Sequence, residues 1–402
     1  MDEAWRALQF VRRVCPTKAL LKPYVDSAWM EAINPQSLLD LAHSSRYVAT
    51  VRDRIEGAGS DVECLTADDL SDDERAGGGG GARGTGSSAV AGRDTVGNKN
   101  SWLAASTAAG AVLEAVDRVL SGSVHNAFCA VRPPGHHAGI HLHCMGAVSN
   151  GFCILNNVAL GALYAHHHRG VGRVAVVDFD VHHGNGTQDV LCGTLNPAFL
   201  YASIHAFGDG SGGEGSASRI FPGTGGGEDT HRNVLNIPLG EQVRPTPFCQ
   251  ATERVLSALE DFQPDLLLLS TGFDAHRNDP SQLGMLTAHD FERFTRRMLV
   301  AAERLCAGRV VSVLEGGYAL DCLGTMPEAV GGVTTRRGGY SYIALPTAAA
   351  TAARAKRAGR GPGRGETLSD CIQAHVKAMV DVVDGAMDDV SAAASDGTGA
   401  AP

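Results

Sequence analysis

The sequence predicts an α/β protein whose mostly parallel sheet is covered by helices on both faces. Three observations lead there. Short runs rich in β-branched residues and leucine are apolar nearly throughout, as strands buried on both sides tend to be. Segments with helical spacing alternate with them, the order expected of a parallel sheet. Four of these runs end in chemically reactive residues, and open α/β sheets collect function beyond the carboxyl ends of their strands.

The expected strands, in order, are AFCAV (127–131), RVAVVDF (173–179), FLYASI (199–204), NVLNIPL (233–239), DLLLLS (265–270) and VVSVLE (310–315). The expected helices include 101–120, 156–168, 252–262 and 287–306. In the last, Phe291, Phe294, Met298 and Leu305 keep close to helical spacing, and Thr287 with Asp290 makes an N-cap in which aspartate replaces the usual Glu or Gln. Residues 76–92 are glycine-rich and can bury almost nothing, so they read as a flexible surface loop. Residues 325–365 carry the basic run RAKRAGRGPGRG. They read as a solvated insertion, with a nuclear import or docking signal as the alternative. The expected organisation is a domain over 1–324, that insertion, a final helix over 366–385 and a disordered tail over 386–402.

With 402 residues, 44% of them hydrophobic, the chain can bury a large core as one α/β domain or two smaller ones. A formal net charge of -10 argues against direct binding to a nucleic-acid backbone. The ten cysteines include no C-x-x-C pair, which argues against a zinc finger or a thioredoxin-like site. The N-terminal MDEAWRALQFVRR lacks the apolar core of a secretory signal. No apolar run approaches the roughly 18 residues that span a bilayer. A reduced intracellular compartment is the expectation, and no G-x-G-x-x-G follows a strand to support an NAD mechanism.

The chemistry concentrates at four strand ends. The first carries Arg132, Gly135, His136 and His137 in RPPGHHAG, where prolines fix the chain and glycine allows a sharp turn. The second, VDFDVHHGNGT, carries Asp178, Asp180, His182 and His183. The third carries Asp274 and His276, and the fourth Gly316, Gly317 and Tyr318. In extended backbone, side chains two apart share a face, so Asp178, Asp180 and His182 are expected to point together. Carboxylates that close repel unless a cation or donors hold them. A divalent metal on Asp180, His182 and Asp274 would meet that need and leave coordination positions open for water and substrate. A neutral histidine could then deprotonate water, and Tyr318 could donate to a developing oxyanion. These parts together suggest amide hydrolysis.

RPPGHHAG, GFCILNN, VDFDVHHGNGT, FPGTG, GFDAHRNDP and LEGGY resemble, in order and spacing, the zinc-dependent histone deacetylases, from about Leu38 to Leu323. Asn185 is the class II version of its position. The resemblance implies the single-domain arginase/deacetylase fold with an eight-stranded parallel sheet. It implies one zinc on Asp180, His182 and Asp274, with His136 paired to Asp178 and His137 paired to Asn185 as general base. Tyr318 would polarise the acetyl carbonyl. Gly151, Phe152, Phe221 and Gly317 would line the acyl-lysine tunnel, and Asp94 would sit at its rim. A structural potassium would take backbone carbonyls of Asp178, Asp180, His182, Ser203 and Ile204. The substrate implied is an acetylated protein (a histone tail, tubulin or another) in nucleus or cytoplasm. Corepressor-type protein partners are part of the same expectation, without nucleic acid or membrane. An acetylated polyamine as substrate and a non-catalytic acetyl-lysine reader are the alternatives. Two family features are unmatched: the opening H-P-E-x-P-x-R loop, and the leucine after Asp-Pro, where Ser281 follows Pro280.

Overall fold

The computed structural model describes residues 35–57, 63–64, 94–193, 196–208, 220–227, 233–319 and 366–396. The six apolar runs form six strands: β1 (Asn126–Cys129), β2 (Val174–Asp178), β3 (Phe199–Ala206), β4 (Val234–Leu239), β5 (Leu266–Thr271) and β6 (Val310–Leu314). They make one parallel sheet in the order β1-β6-β5-β2-β3-β4. The resemblance implied eight strands; the main sheet has six among the described residues, the same six whose apolar runs can be read in the sequence. A separate two-residue ribbon pairs Glu63–Cys64 antiparallel with Val96–Gly97.

Alternation within each strand builds two cores. Val174 and Val176 join Leu266, Leu268, Val311 and Val313 on one face. There they meet helices α1 (Ser45–Gly57), α2 (Ser101–Leu120), α3 (Asn157–Arg169) and α4 (Asn185–Cys192). Ala175 and Val177 join Leu267, Leu269 and Val310 on the other. That face packs against α5 (Pro245–Phe262), α6 (Ala288–Cys306) and α7 (Leu368–Asp396). Burial on both sides is why the strands read as continuous apolar runs rather than alternating ones.

Helix boundaries follow local chemistry. The Asp290 carboxylate accepts from the Thr287 amide at 2.9 Å and from its hydroxyl at 2.7 Å, so an aspartate performs the reciprocal half of the capping box. Thr367 and Asp370 repeat the arrangement before α7. Helix α5 begins at Pro245, earlier than the expected 252, because proline at a first helical position needs no partner for an N–H and presets φ. Helix α7 runs to Asp396, beyond the expected end at 385, through an alanine-rich stretch with high helical propensity. The loop expected over 76–92, the insertion over 325–365 and the last residues of the expected tail lie outside the described residues. No helix among those described is long and apolar enough to cross a membrane.

Strand register brings the reactive ends level. Asp178 is paired with Ser203 on β3 and with Ser270 on β5. Just beyond it, Phe179 is buried among Phe294, Phe273 and Phe291, with ring centroids 4.6, 6.2 and 6.2 Å away. This aromatic plug sits between two acidic residues of the strand end. Phe294→Ala should therefore cost about 3–5 kcal/mol in urea unfolding. It should also weaken divalent-metal binding, seen by calorimetric titration, because the chain carrying Asp178 and Asp180 loses its anchor.

Candidate functional site

Strand β2 ends at Asp178, and the chain then leaves extended geometry. The expectation that Asp178, Asp180 and His182 point together rested on extended backbone, which only Asp178 has. The first two carboxylates still face one imidazole, His136, whose Nδ1 lies 3.1 Å from Asp178 and whose Nε2 lies 3.8 Å from Asp180. Asp180 and His182 turn toward Asp274, which follows β5, and one ligand atom from each lies within 4.8 Å of the others. His182 Nδ1 is 3.1 Å from Asp180 Oδ1 and 3.0 Å from Asp274 Oδ2. Among the described residues neither carboxylate pairs with Lys or Arg. Both are buried, and Asp274 is pushed up to about 7, first by burial and then by the charge of Asp180. Two carboxylate oxygens and an imidazole nitrogen are a donor set that fits a divalent cation such as zinc. Main-chain amides orient them: Gly316 N–H donates to Asp180 at 2.7 Å and Val181 N–H to Asp274 at 2.9 Å. A Cβ at Gly316 would overlap oxygens of both aspartates.

Asp178 instead accepts from Tyr201 Oη at 3.2 Å and from the Asp180 amide at 3.1 Å, and pairs with His136 Nδ1 at 3.1 Å. Burial opposes charge on His136, but Asp180 and Asp178 outweigh it and raise the imidazole to about 10. His137 is the reverse. Its Nδ1 lies 2.8 Å from Asn185 Oδ1, and the Asn185 amide nitrogen donates to the Cys144 carbonyl at 3.1 Å. With the amide so oriented, Nδ1 carries the hydrogen and Nε2 keeps its lone pair. Burial, then the charges of His136 and His182, hold His137 well below the ordinary histidine value. It is neutral at pH 7 and free to accept a proton.

Tyr318 follows β6 through Gly316 and Gly317. Gly317 has φ 123° with its open side against Leu368 and Phe273, a conformation that only glycine adopts freely. The Tyr318 amide donates to Asp279 at 2.7 Å. Its ring stands 5.9 Å from that of Phe152, and the Arg132 guanidinium carbon is 5.5 Å from its centroid. Burial raises the phenol well above the tyrosine range against the pull of Arg132, and Asp274 and Asp180 add to the rise. Tyr318 therefore stays an O–H donor.

Phe221 packs edge-on to His137 at 4.8 Å, and Gly151 lies against both rings. Asp94 joins this wall through neighbours: Ser149 Oγ donates to it at 2.6 Å and to the same serine runs the Gly151 amide at 3.2 Å. Thr95 Oγ1 accepts the Phe152 amide at 3.0 Å. Ser203 and Ile204 lie on β3 beside the end of β2. Ser281 donates to the Asp274 carbonyl at 3.0 Å. Glu315, Tyr201 and Cys144 are the residues that sequence reasoning passed over, and of these only Glu315 stood within a motif already singled out. Asp279, in GFDAHRNDP, lies too far along its loop to read as a ligand.

A family model described as a histone deacetylase domain matches residues 6–334. Type-2 histone deacetylase 2 of Dictyostelium discoideum is 41% identical over 246 residues, covering 59% of this chain and 14% of that protein. The chain thus spans a small part of that relative's length. Among solved structures, the HDA15 HD domain superposes with TM-score 0.54 at 32% identity, covering 70% of this chain and 68% of that one. Acetylpolyamine aminohydrolase from Burkholderia pseudomallei superposes with TM-score 0.55 at 28% identity, covering 70% and 78%.

Three outcomes follow from the geometry. Gly316→Ala should lower metal affinity roughly 10–100-fold, as removal of ligand-orienting contacts does, measured by competition with a chelating dye. If His137 is the base, the acid limb of a pH–rate profile should inflect below 6.5, where its imidazole becomes protonated and activity falls. Asn185→Asp, by placing an anion on Nδ1, should move that inflection upward by about one unit or more.

Proposed function

The chain belongs to the histone deacetylase family, class II type, and on that premise we propose that it hydrolyses N-ε-acetyl-lysine in proteins to lysine and acetate. One observation carries the reading. The Asp180–His182–Asp274 group, the neutral His137 and the protonated Tyr318 share one edge of the sheet, walled by Phe152 and Phe221. Asp180, His182 and Asp274 would hold zinc, which when bound supplies Lewis acidity to the amide carbonyl and to water.

The protein's own groups account for the proton movements. His137 Nε2 takes a proton as water oxygen bonds to the carbonyl carbon, while Asn185 holds its Nδ1–H. The Tyr318 hydroxyl donates to the carbonyl oxygen as charge develops there. The C–N bond then breaks, the acyl carbon leaves as acetate, and the proton passes to the departing lysine nitrogen. His136, charged between Asp178 and Asp180, lies with its ring 3.9 Å from that of His137 and favours its neutral form. Asp94 would bind substrate backbone at the rim, and Gly151 and Gly317 would lend main-chain groups to the tunnel. A structural potassium at Asp178, Asp180, His182, Ser203 and Ile204 belongs to the same proposal, supported by the level ends of β2 and β3.

The likeness to the acetylpolyamine aminohydrolase supports a second reading, in which a small acetylated amine enters the same tunnel. Acetate release from an acetyl-lysine peptide and from an acetylated polyamine, by zinc-loaded protein, separates the two. Tyr318→Phe should lower kcat on the preferred substrate about 10²–10³-fold, as loss of an oxyanion donor does, and chelation should abolish turnover. Peptide binding without acetate release would favour a reader instead.

A further inference from the structure

Glu315 stands immediately before the Gly-Gly-Tyr turn, fully buried, and has no part in the proton transfers above. Its carboxylate spans the ends of separate strands. One oxygen accepts the Gly135 amide at 2.7 Å and the His136 amide at 3.2 Å, both in the loop after β1. The other accepts the Ser270 hydroxyl at 2.9 Å, on β5. Its own amide donates to the Thr271 carbonyl at 2.9 Å. Its carbonyl accepts from Arg132, whose guanidinium lies over the Tyr318 ring. Two amides and a hydroxyl therefore converge on one carboxyl, which burial pushes up to about 7, and Arg132 links that residue's backbone to the phenol.

We propose that Glu315 is a positioning residue, which locks the main chain of the His136–His137 pair to the turn that carries Tyr318. The proposal rests on the hydrolase reading above. The base and the phenol lie far apart in the sequence, after β1 and β6, yet both must reach one carbonyl group. A misplacement of about 1 Å in such a pair can cost on the order of 10²-fold in rate. The Glu315 carboxyl supplies a direct bond from the histidine loop to the turn that follows β6. With the two amides on its carboxyl and Arg132 on its carbonyl, Glu315 leaves that loop little freedom to shift.

The test uses the zinc-loaded full chain. Rates are compared at pH above the value of about 7 to which burial raises the Glu315 carboxyl. Glu315→Gln keeps the shape but removes the charge: its carbonyl oxygen still faces the two loop amides and its NH2 can donate to Ser270 Oγ. In this variant the charge-assisted bonds to the histidine loop become neutral ones of about half the strength. Its melting temperature should stay within a few degrees of the unsubstituted protein, with metal content unchanged and KM for an acetyl-lysine peptide within about twofold, while kcat falls roughly 10–100-fold. Ser270→Ala removes one of the three donors, leaves both amide bonds, and should give a smaller kcat loss with the same unchanged KM. Unaltered kcat in folded, metal-loaded Glu315→Gln overturns the proposal. So do parallel losses of melting temperature, metal and kcat, which a merely structural group would give. If Glu315→Gln does not fold, Ser270→Ala decides, and unaltered kcat there overturns it. Absence of acetate release by the unsubstituted protein removes the hydrolase reading itself, and this one with it.

Discussion

Two carboxylates, Asp180 and Asp274, are buried together against the His182 imidazole, with that of His136 behind Asp180, and the surrounding chain is organised to tolerate them. Burying like charges together is costly unless donors or a cation offset the repulsion. Here amides from Gly316, Val181 and His182 point at the carboxylate oxygens. They come from chain that follows two different strands, so the offset exists only when β2 and β6 are correctly placed across β5. Metal affinity and sheet register are in this sense one property. The phenylalanine cluster around Phe179 belongs to the same constraint, because it fixes the backbone between the acids from the far face.

Adjacent histidines are given opposite tasks by their partners. His136 faces Asp178 and Asp180 and is held cationic, whereas His137 faces a neutral amide and is held neutral. Residue type alone would assign them the same chemistry. Paired titratable groups pushed apart by their surroundings are a recurrent way to assign acid and base roles at one pH. The choice here depends on the orientation of the Asn185 side chain, which Cys144 fixes through its carbonyl.

The sheet was legible because every described strand is apolar on both faces, and all six runs appear as strands with ends displaced by a few residues. The Asp180–His182–Asp274 group and His137 were legible because each member follows such a run within a short motif. What escaped was whatever depends on contacts across the fold. The extended backbone expected over Asp178, Asp180 and His182 stops at its first member, and the His136 imidazole, from another loop, is what faces both Asp178 and Asp180. Glu315 looked like a strand terminus, yet it bonds residues about 180 positions away. Asp279 stood too far along its loop to read as a ligand, and its contact is with the Tyr318 amide rather than the metal group. Periodicity carries no information about such pairs, since it reports which face a residue occupies and not what waits there.

The chain leaves the catalytic edge at Ala319 and rejoins it at Leu368, whose amide donates to the Ala319 carbonyl at 2.8 Å. Glu366 secures the return by contacts with His276 and Asn278. Exit and re-entry are thus one hydrogen bond apart, next to the tyrosine turn. The entropy of closing a loop grows only slowly with its length, so the fold is nearly indifferent to how much sequence is inserted there. Such a port lets a lineage acquire, lengthen or exchange material beside the reacting groups without re-evolving the sheet, and it separates the pace of change in that material from the pace of change in the chemistry.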